Sequence, residues 1–268
     1  GNFTTVNGAA TRRYVAAIDL STKTLTSWNP NPNGYVYALK AAGSVVYVGG
    51  SYTSIGGQTR SKIAAIDATT GLATSWNALV TTGTGYVYTI DVGPSTVYFG
   101  GSFSNVASGS PTRRNFAAVN TTTGALTTFN PRPDDNVRTI LLDGTTLYVA
   151  GEFTNIAGVN KTGLVALNVT TGLLTSFSTT FNSGLYDNNF VYTLAIDGQK
   201  LFIGGDFLTI NGTERARLAV VDKTTGALEP MVDRAMGGYV LTISISGGKL
   251  LAAGNLRGIS GITSSLRC

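Results

Sequence analysis

One phrase of sequence occurs five times. It reads AAIDLSTKTLTSWN at 16–29, AAIDATTGLATSWN at 64–77, AAVNTTTGALTTFN at 117–130, VALNVTTGLLTSFS at 165–178 and AVVDKTTGALEPMV at 219–232. A second segment alternates with it: YVGGSYTSIGG from 47, YFGGSFSNVAS from 98, YVAGEFTNIAG from 148, FIGGDFLTING from 202 and LAAGNLRGISG from 251. GNFTTVNG, at the start, is the tail of one more copy. The anchor glycines Gly1, Gly50, Gly101, Gly151, Gly205 and Gly254 lie 49 to 54 residues apart. A repeat near fifty residues cannot bury a core alone, so each copy must pack on the next.

Four short strands fit within one period. In the second copy they are 86–92, 96–103, 115–120 and 125–130, rich in Val, Ile, Tyr, Phe or Thr and bounded by turn residues. Glycine is abundant, at 34 residues, and only 12% of residues are charged, which suits short strands joined by tight turns. No stretch keeps a helical apolar stripe. The TTG between the last two strands reads as a hairpin turn. Gly71, Gly124, Gly172 and Gly226 supply a positive φ there, while Lys23 in the first copy implies strain or another turn type. Four antiparallel strands per repeat is the blade of a β-propeller. The fold class is therefore all-β, a β-propeller of four-stranded antiparallel blades in one domain spanning 1–268.

The chain starts on the second half of a blade and ends on the first half of one. Docking the last strand pair beside the first predicts five blades, the last closed by both termini, with no open edge. Residues 257–268 repeat the sense of 4–13, which leaves a fragment of a six- to eight-bladed ring as the alternative. Opening within a repeat, without an initiator Met, the chain reads as a piece of something longer. The recurring Asp19, Asp67, Asn120, Asn168 and Asp222 are expected to accept turn N–H groups. The large residues nine positions later (Trp28, Trp76, Phe129, Phe177 and Met231) are expected to wedge between neighbouring blades.

These residues resemble two known groups. VYVGGSY at 46–52, the recurring AAID and TTG, and WNPN at 28–31 resemble the delta-sixty type of bacterial β-propeller repeat over essentially the whole chain. That resemblance implies a propeller in a secreted or cell-surface bacterial protein, with no general activity. Ala65, Asp67, Gly71 and Trp76 are similar to the tryptophan-docking motif of pyrroloquinoline quinone dehydrogenases. The motif there is a structural interlock and implies no catalytic role; the Ca²⁺ ligands of those enzymes have no visible counterpart.

Composition narrows the chemistry. There is no histidine, which removes imidazole catalysis and imidazole metal sites. The single cysteine, Cys268, offers neither a disulfide nor a zinc site. The net charge of +5 comes without a basic tract, so nucleic-acid binding is not expected. No apolar run is long enough for a membrane helix, and no membrane insertion is expected. No catalytic residue, metal or cofactor is assigned. Asp134, Asp135, Asp187, Glu214 and Asp233 stand outside the repeat and are the carboxylates a hydrolase would need, whereas Asp91, Asp143 and Asp197 read as turn residues.

Two sets of binding candidates remain. Seven residues before each repeat Asp or Asn stands a cation: Arg12, Arg60, Arg113, Lys161 and Arg215. They read either as structural donors to carbonyls or carboxylates of the adjacent blade, or as a basic ring for an acidic polymer. The loops between copies vary, and loops on a rigid scaffold carry binding groups. There Tyr35, Tyr86 and Tyr186 are placed to stack on sugar rings, and Asp134 and Asp135 to bond hydroxyls. The expected function is a non-catalytic binding or scaffold module with an adhesive or structural role. The alternatives are a lectin-like propeller with repeated sites and a carbohydrate-active hydrolase. Glycans or other surface proteins are the expected partners, together with assembly into oligomers or filaments.

Overall fold

The computed structural model describes the chain apart from residues 7–9, 81–83, 107–112, 183–189, 231–235, 257 and 260–268. The described residues contain no helix; fourteen strands of five to eight residues carry the fold, joined by two-residue ribbons. Their contacts divide into two compact units, Gly1–Arg132 and Pro133–Cys268.

In the first unit, β1 (Val36–Ala42), β2 (Val45–Gly50) and β3 (Ile63–Asp67) form one antiparallel sheet in chain order. β4 (Val87–Val92), β5 (Thr96–Gly101) and β6 (Phe116–Asn120) form the next. β4 packs on β1 and β2. The seam between the two sheets holds Tyr47, Ile63, Trp76, Val87, Ile90 and Phe99. Both faces of β3 and β6 are covered, which is why they read as apolar runs and not as alternating strands.

The second unit repeats the plan. β7 (Val137–Asp143), β8 (Thr146–Gly151) and β9 (Leu164–Asn168) form one sheet, and β10 (Phe190–Asp197), β11 (Lys200–Asp206) and β12 (Leu218–Asp222) another. β13 (Val240–Ser246) and β14 (Lys249–Gly254) form a two-stranded sheet. β14 pairs with β13 alone, and in the first unit Ile18 bridges only Leu25.

The fourth strand of each blade differs from expectation. It survives as one bridge per copy: Ile18 to Leu25, Ile66 to Ala73, Val119 to Leu126, Leu167 to Leu174 and Val221 to Leu228. In three copies a local bond accompanies this: the hydroxyls of Thr26, Thr74 and Thr175 accept the N–H two residues on, at 3.3, 3.2 and 3.2 Å, where the chain leaves the ladder. That turn sends the next large side chain sideways, toward the neighbouring sheet. Trp28 Nε1 donates to the Asp67 carbonyl at 3.0 Å, and Trp76 Nε1 to the Asn120 carbonyl at 2.9 Å. Trp76 and Phe177 meet Tyr47 and Tyr148 edge to face, with ring centroids 5.2 and 5.5 Å apart. Met231 lies outside the described residues.

The turns follow the sequence reading closely. One side-chain oxygen of Asp19, Asp67, Asn120, Asn168 and Asp222 accepts the N–H groups two and three residues on. The turn glycine has a second duty. A Cβ on Gly124 would stand 2.5 Å from the Asn77 carbonyl oxygen, because the turn abuts the residue after Trp76. Lys23 keeps the same left-handed conformation as the turn glycines, at φ 59°. This answers the question of its turn type: the turn is the same and the residue is strained.

Two outcomes are expected. Gly124→Ala lowers stability by at least about 2 kcal/mol. Lys23→Gly raises it by about 0.5 kcal/mol, since relief of strain exceeds the glycine's added chain entropy. Urea unfolding midpoints measure both. Hydrogen bonds from Ser21 and Thr22 hold the Asp19 carboxyl at about 2, below its ordinary 3.8, and the matching bonds lower Asp67 and Asp222. Depressed carboxylates stabilise the native state above their ordinary range and lose that effect as pH falls. Stability should therefore decline as pH drops from 3.8 toward 2. The decline should be shallower in Asp19→Asn/Asp67→Asn/Asp222→Asn, read by thermal melts across that range.

Candidate functional site

Each inner strand carries a β-bulge near its start. The register shifts between Val36 and Ala38 and between Val87 and Thr89 in the first unit. In the second it shifts between Val137 and Thr139, Val191 and Thr193, and Val240 and Thr242. A bulge re-aims the extra side chain. The re-aimed residues are Tyr37 and Tyr88 in the first unit, and Arg138, Tyr192 and Leu241 in the second. The anchor glycine opposite is obligatory: a Cβ on Gly50 or Gly101 would lie 2.0 or 1.9 Å from the carbonyl oxygen of Tyr35 or Tyr86.

In the first unit the bulges gather tyrosines. Tyr37 contacts Tyr35, Tyr86 and Tyr88, with ring centroids 6.3, 5.7 and 5.7 Å apart. Tyr35 meets Tyr14 at 5.4 Å, and Tyr86 meets Tyr88 at 5.9 Å. Tyr35, Tyr37 and Tyr86 are each more than 40% exposed. The Ser102 hydroxyl accepts the Tyr86 N–H at 3.0 Å and donates to the Tyr88 hydroxyl at 3.3 Å. Partial burial raises the Tyr37 pKa, neighbouring Tyr86 and Tyr88 add to this, and a hydrogen bond with Ser51 opposes it. Tyr37 therefore stays a neutral phenol at physiological pH, and the cluster presents aromatic edges and hydroxyls together.

The corresponding positions of the second unit are mixed: Arg138, Tyr192 and Leu241. Arg138 pairs with Glu152, whose other oxygen accepts from Asn136 Nδ2 at 2.7 Å. Tyr192 lies 6.1 Å from both Phe190 and Tyr239. Burial, then the Asp206 carboxylate, raises the Tyr192 pKa. One scaffold position thus carries tyrosine in both sheets of the first unit, and an ion-paired arginine, a tyrosine and a leucine in the second.

Among the sequence candidates, Tyr35 and Tyr86 belong to the tyrosine cluster, and Tyr186 lies outside the described residues. Arg12, Arg60 and Arg113 each donate from Nη2 to the carbonyl fourteen residues on, those of Thr26, Thr74 and Thr127, at 2.8, 2.9 and 3.0 Å. The acceptor is on their own copy, not on the adjacent blade. Arg215 donates to the Glu214 carbonyl at 2.7 Å, and Lys161 to the Ser178 hydroxyl at 3.2 Å. Asp134 accepts from the Thr154 N–H, the Thr154 hydroxyl and the Asn155 N–H at 2.9, 2.7 and 3.0 Å. Burial alone would raise its pKa, but these bonds hold it below the ordinary value, so it is an ionised brace. Asp135 accepts the Asn136 N–H at 2.7 Å. Asp187 and Asp233 lie outside the described residues.

Asp91 is a correction. It is buried in β4 and pairs with Lys40 of β1 at 2.6 Å, so it joins two sheets and is no turn residue. Sequence reasoning also missed Tyr37 and Tyr88. The signal was the doubled Tyr-Val-Tyr at 35–37 and 86–88, where the middle valine faces the core and both tyrosines turn away from it.

No family model and no curated protein matches this chain. Solved structures do. The computationally designed Ika8 protein matches with a TM-score of 0.57 at 13% identity, over 87% of this chain and 60% of that one. A chain of the mitotic checkpoint complex matches with a TM-score of 0.54 at 14% identity, over 88% of this chain and 62% of that one. The chain thus spans about three-fifths of the length of these structures. With its repeated small antiparallel sheets and these likenesses, the fold is a β-propeller.

Arg113 is 3% exposed, and its guanidinium is embedded in the fold. Arg113→Ala should lower stability by about 1–3 kcal/mol through the orphaned Thr127 carbonyl. Arg113→Lys should recover only part, lacking the planar fork. Urea unfolding of both variants checks this.

Proposed function

We propose that this chain is a non-catalytic binding module that takes neutral carbohydrate on the tyrosine surface of Gly1–Arg132, within a secreted or cell-surface protein. The observation that carries the reading is the cluster in which Tyr37 contacts both Tyr35 and Tyr86, each of the three more than 40% exposed. Solvent-exposed aromatic rings are costly to display unless they are covered by a partner. Phenol rings offer apolar surface to the C–H face of a pyranose, and the Tyr and Ser hydroxyls accept and donate to its hydroxyls. The assignment to a secreted or surface protein rests on the repeat resemblance. The engaged carboxylates Asp134 and Asp135 support binding over hydrolysis.

A purely structural, adhesive scaffold is the second reading. It is favoured by the cations Arg12, Arg60, Arg113, Lys161 and Arg215, which all bond to the protein itself.

A glycan array followed by titration calorimetry separates the two. Binding of a neutral glycan is expected, with Tyr37→Ala and Tyr86→Ala each weakening it about tenfold, equivalent to ~1.4 kcal/mol. Tyr86→Phe should retain most of the affinity. Silence across the array would reject the carbohydrate reading and leave the scaffold.

A further inference from the structure

The tyrosine rings fall into two groups. Tyr47, Tyr98 and Tyr148 are at most 5% exposed and meet Trp76, Phe129 and Phe177 edge to face. The tyrosines at the bulges meet one another instead. The bulged Tyr37 of one sheet meets Tyr86, the residue before the inner strand of the next, with ring centroids 5.7 Å apart and planes at 60°. Tyr192 and Tyr239 hold the same two repeat positions in the second unit and meet at 6.1 Å and 68°. Elsewhere these two positions hold Tyr88 and Asn136, or Arg138 and Phe190. Where the repeat sets tyrosine at both, the rings touch.

The two rings of each pair are held together by the scaffold. β1 packs on β4, and the carbonyls of Tyr35 and Tyr86 lie against Gly50 and Gly101, so the backbone beside each ring is fixed. The rings are also open to solvent. Tyr37 and Tyr86 are 47% and 41% exposed, and Tyr239 is 36% exposed. A solvent-borne oxidant therefore reaches them in the folded protein. Two phenols held in contact are already positioned to react with each other, which a chance encounter would have to arrange at an entropic cost.

We infer that Tyr37 and Tyr86 form an oxidative cross-linking site, where a peroxide-driven one-electron oxidant joins the two rings by a carbon–carbon bond, and that Tyr192 and Tyr239 repeat it in the second unit. Each phenol gives up its hydroxyl hydrogen as one proton and one electron. The two phenoxyl radicals join at ring carbons ortho to oxygen, and the hydrogens on those carbons return to the oxygens, leaving two phenols on one biaryl. Hydrogen peroxide, acting through a haem peroxidase, takes up the two electrons and two protons and becomes two waters. Tyr88 also lies 5.7 Å from Tyr37, but it is less exposed than Tyr86 and its hydroxyl is engaged by Ser102. The link fastens neighbouring sheets and closes a long loop, restricting the unfolded chain as a disulfide does. It does not depend on the carbohydrate reading.

Treatment of the dilute protein with a haem peroxidase and hydrogen peroxide tests it. A monomer is expected that is lighter by two hydrogens for each link and shows biphenol fluorescence. Peptide mapping should join Tyr37 to Tyr86, in a yield at least about tenfold above any peptide joining Tyr37 to a tyrosine outside the cluster, because contact raises the local concentration of one radical at the other. The urea midpoint of the treated protein should rise. Tyr88→Phe should keep the link, while Tyr37→Phe, which preserves the ring packing, should lose it together with part of that rise. Coupling only between molecules, oxygen insertion into single rings without coupling, or links from Tyr37 spread evenly over the chain's tyrosines would each overturn the inference.

Discussion

The structure depends on one contact between consecutive copies: the residue that ends the third strand receives the large side chain of the copy before. Asp67 shows both halves of the arrangement. Its carboxylate accepts the N–H groups of Thr69 and Thr70 and shapes its own turn. Its carbonyl accepts the indole N–H of Trp28 from the preceding copy. Turn and docking surface are therefore one object, and neither is free to vary alone. The glycine of the turn completes it, since Gly71 and Gly124 lie against the residues that follow Trp28 and Trp76. Phe129 and Phe177 keep the wedge without the N–H, so burial is the indispensable part and the hydrogen bond adds direction.

Because these demands recur, most of the recurring polar residues belong to the scaffold. The arginines tie the start of the third strand to the segment leaving it, which fixes where the docking side chain departs. Asp134 performs in the third copy what Asn33 performs in the first, bracing two successive N–H groups twenty and twenty-one residues away. A charge in register with a packing motif serves that motif. Freedom to specialise is left to positions the scaffold fixes in place but does not fill. The bulged residue of each inner strand is such a position. It holds tyrosine in the first unit and arginine, tyrosine and leucine in the second, under the same backbone geometry.

The same comparison of copies singles out three apolar residues. Ile18, Leu39 and Leu251 stand at positions that are buried in most other copies and are each more than half exposed.

The sequence by itself determined the repeat, the all-β class, the turn chemistry at Asp67 and its counterparts, and the wedge of Trp28 and Trp76. These rest on local hydrogen bonding and on a packing problem restated in every copy, so periodicity exposes them. It overestimated the fourth strand, which keeps one bridge per copy; in three copies a threonine hydroxyl accepts an N–H two residues on where the chain leaves the ladder, which β propensity does not register. It misplaced Asp91, whose partner Lys40 is distant in the chain. The gathering of Tyr14, Tyr35, Tyr37, Tyr86 and Tyr88 was decided only by tertiary structure. Bulges one period apart turn residues fifty positions distant toward each other, and no spacing along the chain encodes that meeting.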